Sequence, residues 1–132
     1  MSQENVEVVH AWYEAFNRGD FAGWLGLLDP EVTWQAARED PDSRLHEGRD
    51  EVRRYAEQWI ESYDALRLDP EEIVHAGDRV LVWVRVTGTG RTSGISLDMR
   101  QAQVMTLRSG RITHTHEYFD RQEALEAVGL SE

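Results

Sequence analysis

The spacing of apolar residues changes abruptly near the middle of the chain. In the first half, apolar side chains recur every three or four residues, as at Val6, Val9, Tyr13 and Phe16, which is the spacing of one face of a helix. In the second half the period is two, as in residues 79–86, where every second residue is valine; this spacing predicts β-strands. Helices gathered ahead of a run of strands predict an α+β fold, with the helices on one face of an antiparallel meander.

Residues with strong turn preferences divide these patterns into elements. Gly19 and Asp20 separate the first two helices, and Asp69–Pro70 interrupts the first strand of the meander, which predicts a bulge or an edge strand. The predicted elements are a helix ending near residue 16, a helix at 21–28, a strand at 32–36, a loop at 37–48, a helix from 50 to 63, strands at 66–74, 79–89, 95–108 and 111–119, and a closing helix at 122–128.

The composition limits the chemistry available to the chain. Its 132 residues are typical of one domain, so residues 1–132 are expected to form a single unit. All 14 basic residues are arginine and there is no cysteine, which excludes a Schiff-base lysine, a Walker-type phosphate lysine, a thiol nucleophile and Cys-ligated metal sites. The net charge of −11 disfavours nucleic acid and anionic membranes as partners.

No segment of the sequence indicates a membrane or an export pathway. No apolar run approaches the roughly 18 residues that a membrane span needs. The acidic start, residues 1–4, lacks the basic residues and apolar stretch of a signal peptide. The sequence therefore predicts a cytoplasmic protein.

Five short markers occur in order along nearly the whole chain. They are residues 16–20 (FNRGD), 28–34 (LDPEVTW), 47–52 (EGRDEV), 109–112 (SGRI) and 117–121 (EYFDR), the last followed by 123–125 (EAL). Together they resemble the NTF2-like superfamily and, within it, the SnoaL-like proteins. The resemblance implies a cone-shaped, curved antiparallel sheet with three helices of the N-terminal half packed on its concave face. It identifies a fold rather than a reaction, because this fold carries many functions.

The resemblance allows the catalytic residues of three related enzyme families to be compared with the residues at the same positions of this chain. The three positions implied for ketosteroid isomerases hold Trp12, Ala36 and Gln103 in place of a tyrosine and two aspartates, so steroid isomerisation by that mechanism is not expected. No equivalent of the Asp–Arg–Asp cluster of the limonene epoxide hydrolases is evident. The SnoaL-like cyclases use a histidine and an acid, and these positions hold Gln103 and Glu117.

Strand alternation, oriented by the resemblance, predicts which residues face the cone. It places Glu117 inward with Thr113, and places Ile112 on the opposite face. The predicted catalytic residues are Glu117, as a general acid or base, and Gln103, which would orient a substrate oxygen but cannot exchange a proton itself. The predicted substrate-binding residues are Trp12, Phe16, Trp34, Trp59, Tyr63, Met99, Gln101, Met105, Thr115 and Phe119.

Two interpretations of Glu117 remain open at this point. An acid among Met, Phe and Trp side chains should have a raised pKa, which suits proton transfer. Alternatively, Glu117 is a structural carboxylate paired with one of the arginines, since ion-pair networks also perturb carboxylates.

The His114-Thr115-His116 segment could in principle hold a metal. Two histidines at i and i+2 on a strand share a face, but a closed site needs one or two more ligands, and the other histidines have no supporting spacing. We therefore expect no metal and no cofactor. The outer sheet face, with Trp83, His114, His116 and Tyr118, is instead the expected homodimer contact.

These observations predict a small-molecule-binding protein with a hydrophobic cone pocket. If it is an enzyme, it is a cofactor-free isomerase, cyclase or dehydratase-like lyase that acts on a neutral, apolar carbonyl compound. The alternatives are a non-catalytic ligand-binding or dimerisation module, and a structural subunit whose pocket is filled by its own side chains.

Overall fold

Four helices and six strands make up the fold in the computed structural model, which describes residues 2–130. In chain order they are α1 (Ser2–Asn17), α2 (Phe21–Gly26), β1 (Leu28–Gln35), β2 (Leu45–Glu47), α3 (Gly48–Ser62), β3 (Tyr63–Ala76), β4 (Arg79–Gly90), β5 (Ser96–Arg108), β6 (Arg111–Tyr118) and α4 (Arg121–Ala127). The predicted order of helices followed by a meander is confirmed.

The six strands form one sheet in the order β2-β1-β6-β5-β4-β3. The meander β3 to β6 is antiparallel throughout, as is the β1–β2 pair. Among the strand pairs of the described residues, only β1 and β6 are parallel. Through this pair the first strand lies beside the last one, and side chains from both ends of the sequence meet on one sheet face.

The first strands differ in extent from the prediction. β1 begins at Leu28 rather than at residue 32, and its register shifts between Leu28 and Thr33. This irregular stretch contains Pro30, whose missing N–H is tolerated at a bulge. β2 lies inside the predicted loop at 37–48, since three residues are too few to show a periodic pattern.

The Asp69–Pro70 segment lies in an edge strand and next to a bulge, as predicted. β3 runs unbroken from Tyr63 to Ala76, lies at one edge of the sheet, and shifts register between Pro70 and Glu72. A proline can be accommodated at an edge and at a bulge because no ladder hydrogen bond is lost there.

The helices occupy both faces of the sheet. Residues of α1, α2 and α3 share one core cluster with the inner face of the strands, as the fold prediction requires. α4 packs on the opposite face, where Ala124, Leu125 and Val128 cover Leu81 and Val104. Within residues 2–130, no helix is both long enough and apolar enough to cross a membrane.

Ile112 lies on the inner face of the sheet, opposite to the predicted face, because of a bulge. The β5–β6 register shifts between Thr106 and Leu107, and Ile112 pairs with Leu107 in the main core. Strict alternation placed Ile112 on the outer face, and it was wrong because a one-residue shift reverses which face a side chain occupies. Beyond the bulge the prediction holds, with Thr115 and Glu117 buried on the inner side.

The end of α1 is attached to the edge strand by a side-chain bridge. The Asn17 amide donates to the Leu68 carbonyl oxygen at 2.8 Å and accepts from the Leu68 N–H at 2.9 Å. The next residues turn through Gly19, whose φ of +78° suits glycine at a helix end. This bridge fixes the distance between α1 and β3, two walls of the space described below.

Candidate functional site

An apolar pocket lies between the helices and the inner face of the sheet. Four tryptophans form much of its wall: Trp12, Trp24, Trp34 and Trp59. The cavity has a volume of about 500 Å³ with its open mouth included.

The polar lining of the pocket comes from two neighbouring strands. Gln101 and Gln103 lie on β5 and Glu117 lies on β6. Gln103 is directly opposite Glu117 in the register of these strands, so their side chains emerge side by side. The three side chains are each at least nine-tenths buried, and they form a polar end in an otherwise aromatic pocket.

The carboxyl group of Glu117 titrates near neutral pH. Burial raises its pKa from 4.5 to about 7, because the ionised form is poorly solvated there. The Tyr55 hydroxyl and the Trp34 indole lie close enough to favour the ionised form, although the Trp34 N–H does not meet hydrogen-bond geometry. Desolvation exceeds these effects, and the group can hold or release a proton at physiological pH.

A tyrosine hydroxyl links Glu117 to a second carboxyl group. Tyr55 on α3 lies 3.1 Å from the Glu117 Oε1 atom and 2.8 Å from the Asp40 Oδ2 atom. Asp40 comes from the loop between β1 and β2 and is half-buried. The negative charge of Asp40 also contributes to the raised pKa of Glu117.

A chain of hydrogen bonds runs through the two glutamines. The Tyr13 hydroxyl donates to Oε1 of Gln103, and Nε2 of Gln103 donates to Oε1 of Gln101 at 2.9 Å. Burial raises the pKa of Tyr13 well above its usual value and the nearby Glu117 adds to this, so its hydroxyl remains a donor. Within the described part of the chain the Gln101 amide N–H groups have no partner, and they are available to a ligand oxygen.

Comparison with known proteins identifies the family of this chain. Residues 9–115 match the sequence model of the SnoaL-like domain. The chain belongs to the SnoaL-like domain family. None of the curated proteins matches the chain.

Solved structures share this SnoaL-like fold along nearly their full length. Bal32a, from a soil-derived mobile gene cassette, is 23% identical with a TM-score of 0.82, over 91% of this chain and 92% of that one. An NTF2-like protein of unknown function from Burkholderia pseudomallei is 28% identical with a TM-score of 0.75, over 95% and 97%. A candidate polyketide cyclase from Xanthomonas campestris pv. campestris is 26% identical with a TM-score of 0.76, over 96% and 98%. These similarities establish the NTF2-like fold.

Most of the residues predicted from the sequence lie together in the SnoaL-like pocket. The lining includes both predicted catalytic residues and six of the predicted binding residues, which are Trp12, Phe16, Trp34, Trp59, Met99 and Gln101. Trp12 stacks against Trp24 and Trp34 with ring centroids 5.3 and 5.7 Å apart. The helical tryptophans and the strand residues thus face the same space.

Four predicted binding residues lie outside the lining. Met105 and Thr115 are cross-strand partners and are fully buried, at a depth where the helices fill the cone. Tyr63 is outside the lining but stacks on the lining residue Trp59 with ring centroids 5.7 Å apart. Phe119 follows the end of β6 and is half-buried. Alternation predicts the face of a side chain but not its depth.

The sequence analysis did not predict two tyrosine hydroxyl groups of the site. The Tyr55 hydroxyl contacts Glu117, and the Tyr13 hydroxyl contacts Gln103. Tyr55 and Tyr13 looked like ordinary core residues on the apolar faces of their helices. Their predicted burial could have indicated a polar contact, because a buried tyrosine hydroxyl usually has a hydrogen-bond partner. Asp40 lies in a polar loop, where no sequence pattern distinguishes it from the neighbouring acids.

The histidines of β6 lie away from the pocket. His114 and His116 have ring centroids 6.2 Å apart, and the Nδ1 atom of His114 is 2.6 Å from the Thr33 hydroxyl. Burial lowers the pKa of both imidazoles. Among residues 2–130 there is no group of three or more His, Asp or Glu side chains arranged to hold a metal ion.

Proposed function

We propose that this SnoaL-like protein binds a neutral, apolar carbonyl compound in the cone pocket and catalyses a cofactor-free proton transfer on it. The observation that carries the proposal is a buried carboxyl group with a pKa of about 7 at the wall of an aromatic pocket. A carboxyl group with a pKa near the working pH is effective as a general acid or base. The polyketide cyclase neighbours are consistent with a small-molecule substrate.

The aromatic walls would bind the apolar body of the substrate. Burying apolar surface contributes roughly 25 cal/mol per Å², and aromatic rings add contacts between faces and edges. The charged residues of the chain lie mainly in exposed ion pairs, whereas the pocket lining is aromatic and aliphatic apart from its polar end. A neutral ligand therefore loses less hydration on entry than an ion would.

The polar end would carry the chemistry. The ionised Glu117 removes a proton from the carbon beside the carbonyl group, and the electron pair of the broken C–H bond moves to the carbonyl oxygen. The free Gln101 amide donates to that oxygen as its charge grows, and the bonds from Tyr13 and Gln103 polarise the amide. Glu117 then returns the proton, to the same carbon or another one, which is the common step of isomerases, cyclases and dehydratase-like lyases.

Glu117→Gln should reduce proton abstraction about a hundredfold, because an amide of similar size cannot accept the proton. The probe is 2-tetralone, a bicyclic aromatic ketone, and the readout is deuterium uptake beside its carbonyl group in D₂O, followed by NMR. In the native protein the rate should rise with pH and level off above the pKa of Glu117, about 7. Quenching of tryptophan fluorescence reports whether the variant still binds the probe.

Glu61→Gln is the matched control, since Glu61 is exposed on α3 and the charge change is the same. Equal rates in the native protein and the Glu117 variant would contradict the catalytic role. Retained binding without any exchange in the native protein would favour the alternative, a non-catalytic ligand-binding module.

We also propose that the protein is a homodimer through its outer sheet face. Trp83, Ala102 and Tyr118 lie side by side on this face, because β4, β5 and β6 pair at these residues. Tyr118 also stacks on His116 with ring centroids 4.2 Å apart. Trp83, His114, His116 and Tyr118 stay partly exposed in the single chain, as expected of side chains that a second copy covers.

The native protein should sediment as a dimer at micromolar concentration. Trp83→Glu should shift it toward the monomer, because a charge would be buried at the contact. Ile95→Glu is the control, since Ile95 is 70% exposed in the turn between β4 and β5 and is not one of the residues of the proposed contact. A native protein that sediments as a monomer would refute the proposal.

A further inference from the structure

One hydroxyl group stands between two carboxyl groups beside the pocket. Tyr55 lies within hydrogen-bond distance of both Asp40 and Glu117, at 2.8 and 3.1 Å. A hydroxyl carries one proton and can donate to only one acceptor at a time. Both contacts are therefore favourable together only when one of the carboxyl groups is protonated and donates to the tyrosine oxygen.

The loop holds Asp40 in a fixed position for this contact. Its Oδ1 atom accepts the backbone N–H of Asp42 at 2.7 Å, and its own N–H donates to the Ala37 carbonyl oxygen at 2.9 Å. The Oδ2 atom remains for the tyrosine hydroxyl. Asp40 is half-buried whereas Glu117 is 6% exposed, so Asp40 reaches solvent and Glu117 hardly does.

Tyr55 is held rigidly and stays protonated. The ring of the fully buried His46 packs against it with centroids 4.4 Å apart. Burial raises the pKa of Tyr55, and the charge of Glu117 raises it further. Its hydroxyl can therefore pass a proton on, but it does not become a stable anion.

We propose that Asp40 and Tyr55 form a proton relay that connects Glu117 with solvent. This inference rests on the proton transfer assigned to Glu117 in the proposed function. In the relay, a protonated Asp40 gives its proton to the tyrosine oxygen while the original tyrosine proton moves to the Glu117 carboxylate. One O–H bond breaks at Asp40, one is exchanged at Tyr55 and one forms at Glu117, so no group is oxidised or reduced.

The relay would allow Glu117 to exchange its proton while a ligand fills the pocket. The pocket side of Glu117 faces aromatic walls, and a bound ligand would exclude water from it. Asp40 acts only through Tyr55 and is a positioning residue in this scheme. The titratable groups that face Glu117 are Tyr13 from α1, Tyr55 from α3 and Asp40 from the loop. Glu117 also borders a surface depression. The other titratable residues that line this depression are Arg38, Glu39, His116, Tyr118 and Glu123.

The test follows the Glu117 carboxyl group directly, without any enzymatic activity. The protein is labelled with ¹³C at glutamate carboxyl groups, and the Glu117 resonance is assigned by its loss in Glu117→Gln. Asp40→Asn should lower the Glu117 pKa by about one unit, because it removes a nearby negative charge. Tyr55→Phe should raise it, because the ionised carboxylate loses a hydrogen bond.

The second readout is the rate of proton exchange with the pocket occupied. At saturating 2-tetralone and at the titration midpoint, the native protein should give one averaged Glu117 resonance. Asp40→Asn and Tyr55→Phe should broaden or split it, because the proton leaves more slowly. Both substitutions preserve local structure, since asparagine can still accept the Asp42 N–H and phenylalanine keeps the ring against His46.

Glu61→Gln is the charge-matched control, because Glu61 is exposed on α3 and lines neither the pocket nor the depression, and it should change neither readout. An unchanged Glu117 pKa in Asp40→Asn would overturn the relay. A shifted pKa without slower exchange would also overturn it, leaving Asp40 as an electrostatic neighbour only. Either result is separate from failure of the proposed function, which loss of deuterium exchange in Glu117→Gln tests independently.

Discussion

Glu117→Gln should stabilise the folded protein by about 3 kcal/mol at about pH 8 and should leave its stability nearly unchanged near pH 4. The reason is the raised pKa of Glu117, which changes from 4.5 to about 7 on burial in the fold. Each unit of pKa difference between the folded and unfolded states corresponds to about 1.4 kcal/mol. Glutamine has a similar shape and carries no charge at any pH.

The sign of this effect follows from proton binding. Between about pH 4.5 and 7 the folded protein keeps the proton on Glu117 and the unfolded chain has lost it, so the stability of the native protein falls as pH rises through this range. Above the range, the folded state must hold an ionised, poorly solvated carboxylate. Below it, both states are protonated and the group has no effect.

Chemical denaturation of both proteins across this pH range measures the effect. The quantity to compare is the difference in unfolding free energy between native protein and variant, because other titrating groups cancel in it. Glu61→Gln, on the exposed face of α3, should show a difference that hardly depends on pH. A difference for Glu117→Gln that is equally independent of pH would show that this carboxyl group titrates normally.

A stability cost at Glu117 also bears on its role. The structural alternative was a carboxylate paired with an arginine, and such a pair lowers the pKa of the acid. The pKa of Glu117 is instead raised, since burial outweighs its hydrogen bonds. A carboxyl group that destabilises the fold above neutral pH contributes nothing to stability there, which is compatible with the proton transfer proposed for Glu117.

The periodicity of the sequence predicted the order of helices and strands, and the resemblance to SnoaL-like proteins predicted which strand residues face the pocket. The change of period predicted α1, α3 and the meander, and alternation placed Gln101, Gln103 and Glu117 on one face, where the structure has them. A period of two is a local property of the backbone, and it survives wherever strand pairing is regular. Pairing is irregular at the bulge near Thr106, and there the alternation predicted the wrong face for Ile112.

The partners of Glu117 could not be predicted in this way. Tyr55 reaches it only because α3 packs against β1 at one particular rotation, and Asp40 reaches Tyr55 through an irregular loop. Helix rotation and loop conformation depend on contacts between residues distant in sequence. The depth of Met105 and Thr115 in the cone has the same origin, since it depends on how far the helical side chains fill the space.

Trp12→Ala should lower the free energy of unfolding by about 3 to 5 kcal/mol, the usual cost of removing a large buried aromatic side chain. Trp12 is 1% exposed, stacks against Trp24 and Trp34, and meets Tyr13 edge to face at 5.0 Å. Its removal deletes contacts to three rings and leaves a cavity continuous with the pocket. Chemical denaturation at fixed pH measures the loss.

Trp83→Ala is the matched control for the loss of an indole. In the single chain Trp83 is half-buried on the outer face, so at protein concentrations low enough to keep the chain monomeric its removal should cost less than half as much, since less surface returns to water. Equal losses for Trp12 and Trp83 would contradict a central role for the tryptophan cluster.

Adding indole to Trp12→Ala shows whether the space left by the side chain stays open or is filled by movement of the surrounding residues. If the surrounding rings keep their places, free indole should fill the new space and raise the melting temperature of the variant by more than that of the native protein, where indole can occupy only the existing pocket. Tyr13, Trp24 and Trp34 are held by the sheet and by the packing of α1 and α2, which favours a preserved cavity. A variant that indole does not stabilise would mean that the helical layer relaxes into the space, and that Trp12 itself keeps the pocket open.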